Sequence, residues 1–382
     1  MPEVVVVGGG VIGAACAYAL GRDGRSVTIL ERSELAAGAS GRNHGLLVTP
    51  QDPPLVPMFR ATLAMYVEAE PRAAVPFRMD PSPIGFLIAA GEDESERASG
   101  REEAEAIAAS GVGLARLDGA GVRELEPALA PWVTQGWLLE DGRRLDPAAL
   151  TVSLALGSGA EVRRTLTARA LLADEGRVRG VVTDEGRIEA DEVVIAAGPW
   201  SAPLLRPLGV NLPVVGGRGW LVHLAPDEPP IGRLVERAGW HVVGGDERLS
   251  RLDARSFAER LPDPDVGTLL QPNPDGTVLA GGSRQRASVP EPEGWEVPRE
   301  LARRAADLVP ALGRAQVLGS WWGVRPMTPD GLPVVARVGK GLVVATGHGS
   351  QGVILAGGTA ELVAALVAGE ESPFDAAAFA IR

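Results

Sequence analysis

Four consecutive valines, Val4 to Val7, run straight into Gly8-Gly9-Gly10-Val11-Ile12-Gly13. Such a run has no polar face to turn to water, so it predicts a strand buried on both sides, as in a parallel sheet. The glycines follow the spacing Gly8-x-Gly10-x-x-Gly13, and the alanine-rich stretch Ala14 to Leu20 continues as a helix. In that strand–turn–helix order the pattern is a dinucleotide-binding fingerprint. Gly8 permits the tight turn, Gly10 lets the backbone approach a pyrophosphate, and Gly13 lets helix and strand pack closely. The helix N-terminus adds free N–H groups and the positive end of its dipole. Ser26 to Leu30 predicts a second strand, ending in Glu31, where a carboxylate accepts hydrogen bonds from a ribose.

A chain of 382 residues is long enough for two domains, or one large domain with an insertion. Its net charge of −12 argues against nucleic acid or an anionic membrane as partner. Lys340 is the only lysine, which leaves little scope for Schiff-base chemistry. Cys16 is the only cysteine, so a disulfide framework, a thiolate metal site and a CxxC redox pair are all excluded, and no metal is expected. Cys16 itself reads as a small buried helix residue. The chain enters its first strand without a secretory n-region or h-region, and no apolar run approaches the roughly twenty residues that span a bilayer. A cytoplasmic location is expected.

After Glu31 the loop Ala37 to Leu47 is rich in glycine and small residues, with Ser40, Arg42 and Asn43. It reads equally as a polar surface loop and as one held against a phosphate or cofactor ring. His44, with no partner motif nearby, reads as incidental. Leu55 to Glu70 and Glu92 to Ser110 predict helices, and Gly85 to Ile88 a strand. Asp146-Pro147 starts a further helix. Strands are expected at Glu161-Val162, Ala168–Leu172, Val178–Thr183 and Arg187–Glu189, with Asp184-Glu185-Gly186 turning between the last two. Asp191 to Trp200 is a second buried strand that runs into Gly198.

Residues 206 to 315 carry short β runs and turn dipeptides, including Trp220–Leu224, Trp240–Val243 and Thr277–Gly282, as an antiparallel sheet requires. Pro298–Leu312 predicts a helix. Gly341–Ala345 is another buried strand, and the glycine-rich Thr346 to Gly352 leads into a long alanine-rich helix, the opening logic repeated. The fold class is therefore α/β, with α+β character overall. A discontinuous Rossmann-like domain (1–50, 145–205 and 316–382) is interleaved with an antiparallel-sheet substrate domain (51–144 and 206–315).

Five separated blocks give the chain a wider resemblance. They are Gly8–Gly13 with Glu31-Arg32, the Ala39–Gly45 loop, Val193–Trp200, Gly323-Val324-Arg325-Pro326 with Thr328–Pro333, and Gly347–Gly352. Together they resemble the FAD-dependent amino-acid oxidoreductases of the D-amino-acid oxidase and dehydrogenase, glycine oxidase and sarcosine oxidase type. The resemblance implies non-covalent FAD, since no cysteine exists in the C-terminal third to tether it. It implies that Gly8, Gly10, Val11, Ile12 and Gly13 hold the pyrophosphate and that Glu31 and Arg32 meet the adenosine. Ser40, Gly45 and Leu46 would lie beside pyrophosphate and flavin. Val162 and Gly198 would border the adenosine end, and Gly347, His348, Gly349, Ser350, Gln351, Gly352 and Val353 would wrap the flavin ring.

Arg325 matches the family's arginine for the substrate carboxylate, a bidentate task suited to guanidinium. The implied reaction oxidises a Cα–N bond by hydride transfer to flavin N5, giving an imine that water hydrolyses. The implied substrates are D-amino acids, glycine or sarcosine, or proline and hydroxyproline. Ser350 stands where members acting on glycine often carry a further arginine. Arg284, in Gly281-Gly282-Ser283-Arg284, reads as a strand-end surface arginine ahead of a second site residue. The competing readings are a flavoprotein subunit that needs a partner in a dehydrogenase complex and an NAD-dependent dehydrogenase. The electron acceptor, oxygen or quinone, and any homo-oligomer stay open.

Overall fold

The computed structural model of the chain describes residues 3–240, 264–286 and 294–381. The four valines form the buried strand Val4–Val7 inside a six-stranded sheet. Its order is Val334–Gly339, Leu342–Thr346, Glu192–Ile195, Val4–Val7, Val27–Leu30, Glu161–Arg163. Every neighbouring pair is parallel except the first, which is antiparallel. Alternation explains why all four valines are apolar. Val4 and Val6 pack into the helical layer, whereas Val5 and Val7 face a second cluster with Val178 and Val181. That second layer is the antiparallel sheet Ala168–Asp174, Arg177–Thr183 and Gly186–Glu189, turned where the sequence places it.

The helical layer consists of Val11–Arg22, Pro147–Gly157, Gly352–Ala368 and Val56–Ala69. Its helices approach closely because small residues line the contacts. A Cβ built on Gly13 would collide with the Gly8 carbonyl, and one on Gly358 would stand 2.5 Å from Met58 Cα.

The other layer system is an eight-stranded sheet. Its order is Gln316–Met327, Val215–Ala225, Val278–Arg286, Asp265–Pro272, Leu234–Arg237, Phe86–Ala90, Gln135–Leu139, Leu114–Asp118. All neighbours are antiparallel except Leu234–Arg237 with Phe86–Ala90. Helix Glu296–Leu308 covers one face, through Val297, Leu301, Ala305 and Leu308, and helix Glu94–Ala108 packs on the other through Ala104 and Ile107. The first of these stops four residues short of the expected Leu312, since Pro310 forces the residue before it out of helical geometry.

Two assignments need correction. Gln316–Met327 was expected within the nucleotide domain, yet it pairs along its length with Val215–Ala225 and forms the edge of the eight-stranded sheet. Val56–Ala69 was expected in the substrate domain, yet Leu55, Met58, Phe59 and Tyr66 share the core of the helical layer. Apolar periodicity tells that a face is buried but not against which sheet. Of the expected strand Trp240–Val243, residues 241–243 lie outside the described residues.

Two predictions follow from packing and charge. Gly358→Leu should destabilise the protein by about 3 kcal/mol, because backbone rather than a movable side-chain tip blocks the added atoms. A lowered urea midpoint with unchanged slope checks this. Glu103, on helix Glu94–Ala108, carries a pKa raised by burial to about 7, against the pull of a hydrogen bond from Gln51. Glu236, buried on Leu234–Arg237, is raised further by burial and by repulsion from Glu103. The unfolded chain releases the Glu103 proton near the ordinary 4.5, whereas the folded chain keeps it to about 7. Stability therefore falls as pH rises through that window. Glu103→Gln should gain on the order of 2 kcal/mol over the unsubstituted protein between pH 5 and pH 8, read from urea unfolding across a pH series.

Candidate functional site

The parallel strands deliver their glycine-rich ends to one edge of the six-stranded sheet, where open α/β sheets bind ligands. Gly8 turns there at φ +119°, and any Cβ on it would strike the Ala196 carbonyl. Helix Val11–Arg22 has glycine at its N-cap and no side-chain cap of its own. Ser40 supplies one from a distance, its Oγ accepting from Val11 N at 2.9 Å. Asn43 holds that loop in shape, donating to the carbonyls of Ala39 and Ser40 while its Oδ1 accepts from Gly45 N. The fingerprint and Ser40 thus come together, with Ile12 and Gly13 in the same first turn.

Glu31 and Arg32 follow Val27–Leu30. The Glu31 carboxylate accepts from Gly9 N at 2.8 Å and from Ser33 N at 2.9 Å, which fixes it beside the glycine turn. Arg32 lies 3.7 Å over the ring of Trp200, at the end of the short helix Gly198–Trp200. Val162 pairs with Ile29 on the neighbouring strand. Glu31, Arg32, Val162 and Gly198 therefore share one side of the glycine turn.

The C-terminal glycine loop comes to the other side. Gly349 N donates to Pro326 O at 2.7 Å, which ties residues 347–352 to the strand end that carries Arg325. A Cβ on Gly352 would lie 3.9 Å from Val11 Cγ1, so the N-termini of two long helices converge. Their first-turn N–H groups and dipoles favour an electron-rich ligand. His348 is buried, with Nε2 2.9 Å from Thr359 Oγ1, and burial pushes its pKa down to about 3, so the ring is neutral. His348 Nδ1 and Gln351 Oε1 are shielded from water without a hydrogen-bond partner among the described residues. Buried polar atoms left unpaired cost about 1–3 kcal/mol each, and a polar ligand would relieve that cost. Ser350 is exposed, and Gly45 and Leu46 lie beside the pairing of Leu46 with Arg144.

Arg325 lies on the strand that faces this loop. Its Nη1 donates to Ser283 O at 2.8 Å, and its guanidinium occupies the space that a side chain on Gly219 would need. Among the described residues no carboxylate forms an ion pair with it. Burial, with the nearby positive Arg284, lowers its pKa to about 10, which still leaves a cation at neutral pH. Three strand glycines make this floor. Gly219 admits the Arg325 guanidinium, Gly267 admits the Trp240 indole, and Gly281 lies under His44, whose Cε1 would be 2.6 Å from an added Cβ.

Arg284 and His44 depart from expectation. Arg284 is buried, not a surface residue; it pairs with Asp265 at 3.6 Å and stands 5.3 Å from the Trp240 ring centre. Asp265 also accepts from Trp240 Nε1 at 3.1 Å. His44 is no incidental loop residue, because the loop folds it onto Gly281 beside Arg325. The one sequence signal for this floor is the pair Gly281-Gly282 inside a strand pattern, a mark of close approach.

Among the described residues no helix is long and apolar enough to cross a membrane, and no group of acidic, histidine or cysteine residues is arranged to hold a metal. The chain matches the family described as FAD dependent oxidoreductase (DAO) over residues 3–366. It is 30% identical over 398 residues to glycine oxidase of Geobacillus kaustophilus, covering 99% of this chain and 96% of that protein. It is 27% identical over 450 residues to D-amino acid dehydrogenase of Sinorhizobium medicae, covering 99% of each. The crystal structure of glycine oxidase from Geobacillus kaustophilus superposes with a TM-score of 0.86 at 26% identity, covering 100% of this chain and 98% of that one. The site suits FAD: two converging helix N-termini and unpaired buried polar atoms fit an electron-rich, polar ligand. The fingerprint edge, the partly buried cation facing it and the match along most of its length agree that the chain belongs to the DAO family of FAD-dependent oxidoreductases.

Proposed function

We propose that this enzyme oxidises the Cα–N bond of a small amino or imino acid whose carboxylate is held by Arg325. The observation that carries the reading is the Arg325 guanidinium, a partly buried cation without a carboxylate partner among the described residues. An isolated buried charge is costly, and a substrate carboxylate gives it a bidentate partner. The names of the relatives, glycine oxidase and D-amino acid dehydrogenase, point to the same substrate class. Bound FAD supplies the acceptor for the hydride that leaves Cα.

The chain's residues divide the rest of the work. Gly8, Gly10, Val11, Ile12, Gly13 and Ser40 hold the pyrophosphate at the first helix end. Glu31, Arg32, Val162 and Gly198 receive the adenosine. Gly45, Leu46 and residues 347–353 border the flavin ring, and the dipole of helix Gly352–Ala368 favours negative charge there. Two functional units underlie this division: the six-stranded sheet with its helices carries the cofactor, and the eight-stranded sheet carries the substrate.

Anaerobic mixing with D-amino acids, glycine, sarcosine, proline and hydroxyproline, followed by flavin absorbance, tests the reading. Bleaching by one class is expected, and admitting air then separates oxidase from dehydrogenase. A flavin that stays oxidised with every candidate overturns the proposal. A second test uses the floor. Gly219→Ala should force the Arg325 guanidinium aside without unfolding the protein, because the obstructed neighbour is the tip of a side chain. The KM for the substrate should rise about 100-fold, the equivalent of about 2.7 kcal/mol of lost carboxylate binding, while flavin content is unchanged.

A further inference from the structure

His44 belongs to the loop that caps the first helix, yet its ring lies on the substrate sheet. An added Cβ on Gly281 would meet His44 Cε1 at 2.6 Å and Nε2 at 3.0 Å, while one on the next residue, Gly282, would meet Arg325 Nη2 at 3.6 Å. Imidazole and guanidinium therefore stand over adjacent residues of one strand, close enough for the Arg325 charge to act on the ring. The Leu269 backbone acts on the ring in the sense that raises its basicity, the smallest of three influences on it. Its Nε2 is shielded from water and has no hydrogen-bond partner among the described residues. In the neutral ring with its proton on Nδ1, Nε2 presents a lone pair. Burial, then repulsion from Arg325, lowers the pKa to about 3, so the ring is neutral near pH 7.

An α-amino acid separates its carboxylate from its nitrogen by a single carbon. Two guanidiniums, those of Arg325 and Arg284, lie together here and repel one another. With Arg284 paired to Asp265, the Arg325 charge disfavours an ammonium group beside it and favours the neutral amine, the form able to release hydride from Cα. A neutral amine needs an acceptor for its N–H, and that acceptor need carry no charge. We propose that His44 Nε2 accepts a hydrogen bond from the α-nitrogen of the substrate while Arg325 holds the carboxylate. Together the two fix the direction of the Cα–H bond. The inference rests on the carboxylate reading of Arg325.

Two small acids serve as probes. Acetate offers only a carboxylate, whereas glycolate adds an α-hydroxyl that donates where the substrate nitrogen would. Dissociation constants come from flavin spectral perturbation in the holoenzyme, without turnover. Glycolate should bind about 10-fold more tightly than acetate, the discrimination expected of one buried hydrogen bond. His44→Asn keeps an amide near the place of Nδ1 and removes the Nε2 acceptor. It should retain acetate binding and lose the preference for glycolate. His44→Gln places an amide oxygen near Nε2 and should keep the preference.

Equal binding of the two acids by the unsubstituted protein, a preference that survives His44→Asn, or loss of acetate binding in that variant each overturns the inference. Loss of both ligands in Arg325→Ala supports the carboxylate reading independently. Acetate and glycolate binding that ignores Arg325→Ala sinks that reading and this inference with it.

Discussion

Arg325 keeps its positive charge where the protein offers it a carbonyl oxygen and no carboxylate among the described residues. Everything around the substrate side of the cleft is arranged so that this charge survives partial burial. Strand glycines at 219, 267 and 281 leave the face of the eight-stranded sheet open, so long side chains from elsewhere lie flat on it. Asp265 balances Arg284 and is held by Trp240, so the two guanidiniums are not left with a double positive charge. Among the described residues Arg325 has no such carboxylate partner.

The cofactor side rests on the same economy of small residues. Close approach at Gly8 and Gly13 lets helix Val11–Arg22 sit on its strand, and close approach at Gly357 and Gly358 lets Gly352–Ala368 pack against Val56–Ala69. Those contacts bring two helix N-termini to one point and join the start of the chain to its end. The loop 347–352 is tied through Pro326 to the substrate sheet, so the two halves are coupled one residue from Arg325. A shift of that strand would move the 347–352 loop and Arg325 together.

The sequence made the nucleotide half legible because its physics is local. A four-valine run, a glycine spacing and a terminal acid each state their role within about thirty residues, and the strand, turn and helix form where that logic sends them, with Glu31 beside the turn. The substrate half depends on contacts distant in sequence. Gln316–Met327 joins a sheet whose other members lie between residues 86 and 286, and no pattern within the strand announces that partner. His44 is separated from Gly281 by more than two hundred positions, and only the fold turns an isolated histidine into a ring beside a guanidinium. Arg284 looked exposed because strand ends usually are. The bulged pairing around Gly281 and the space over Gly267 let Trp240 cover it instead.

The chain carries a net charge of −12, yet its cleft gathers two guanidiniums, two helix N-termini and two neutral histidines. The neutrality of His44 and His348 belongs to this arrangement. Had either ring stayed protonated, a third cation would have joined Arg284 and Arg325 without a partner. Burial removes that charge at little cost, because imidazole gives up its proton far more readily than guanidinium. What the rings keep is unpaired nitrogen, which lets a site built on positive charge receive the uncharged parts of its ligands.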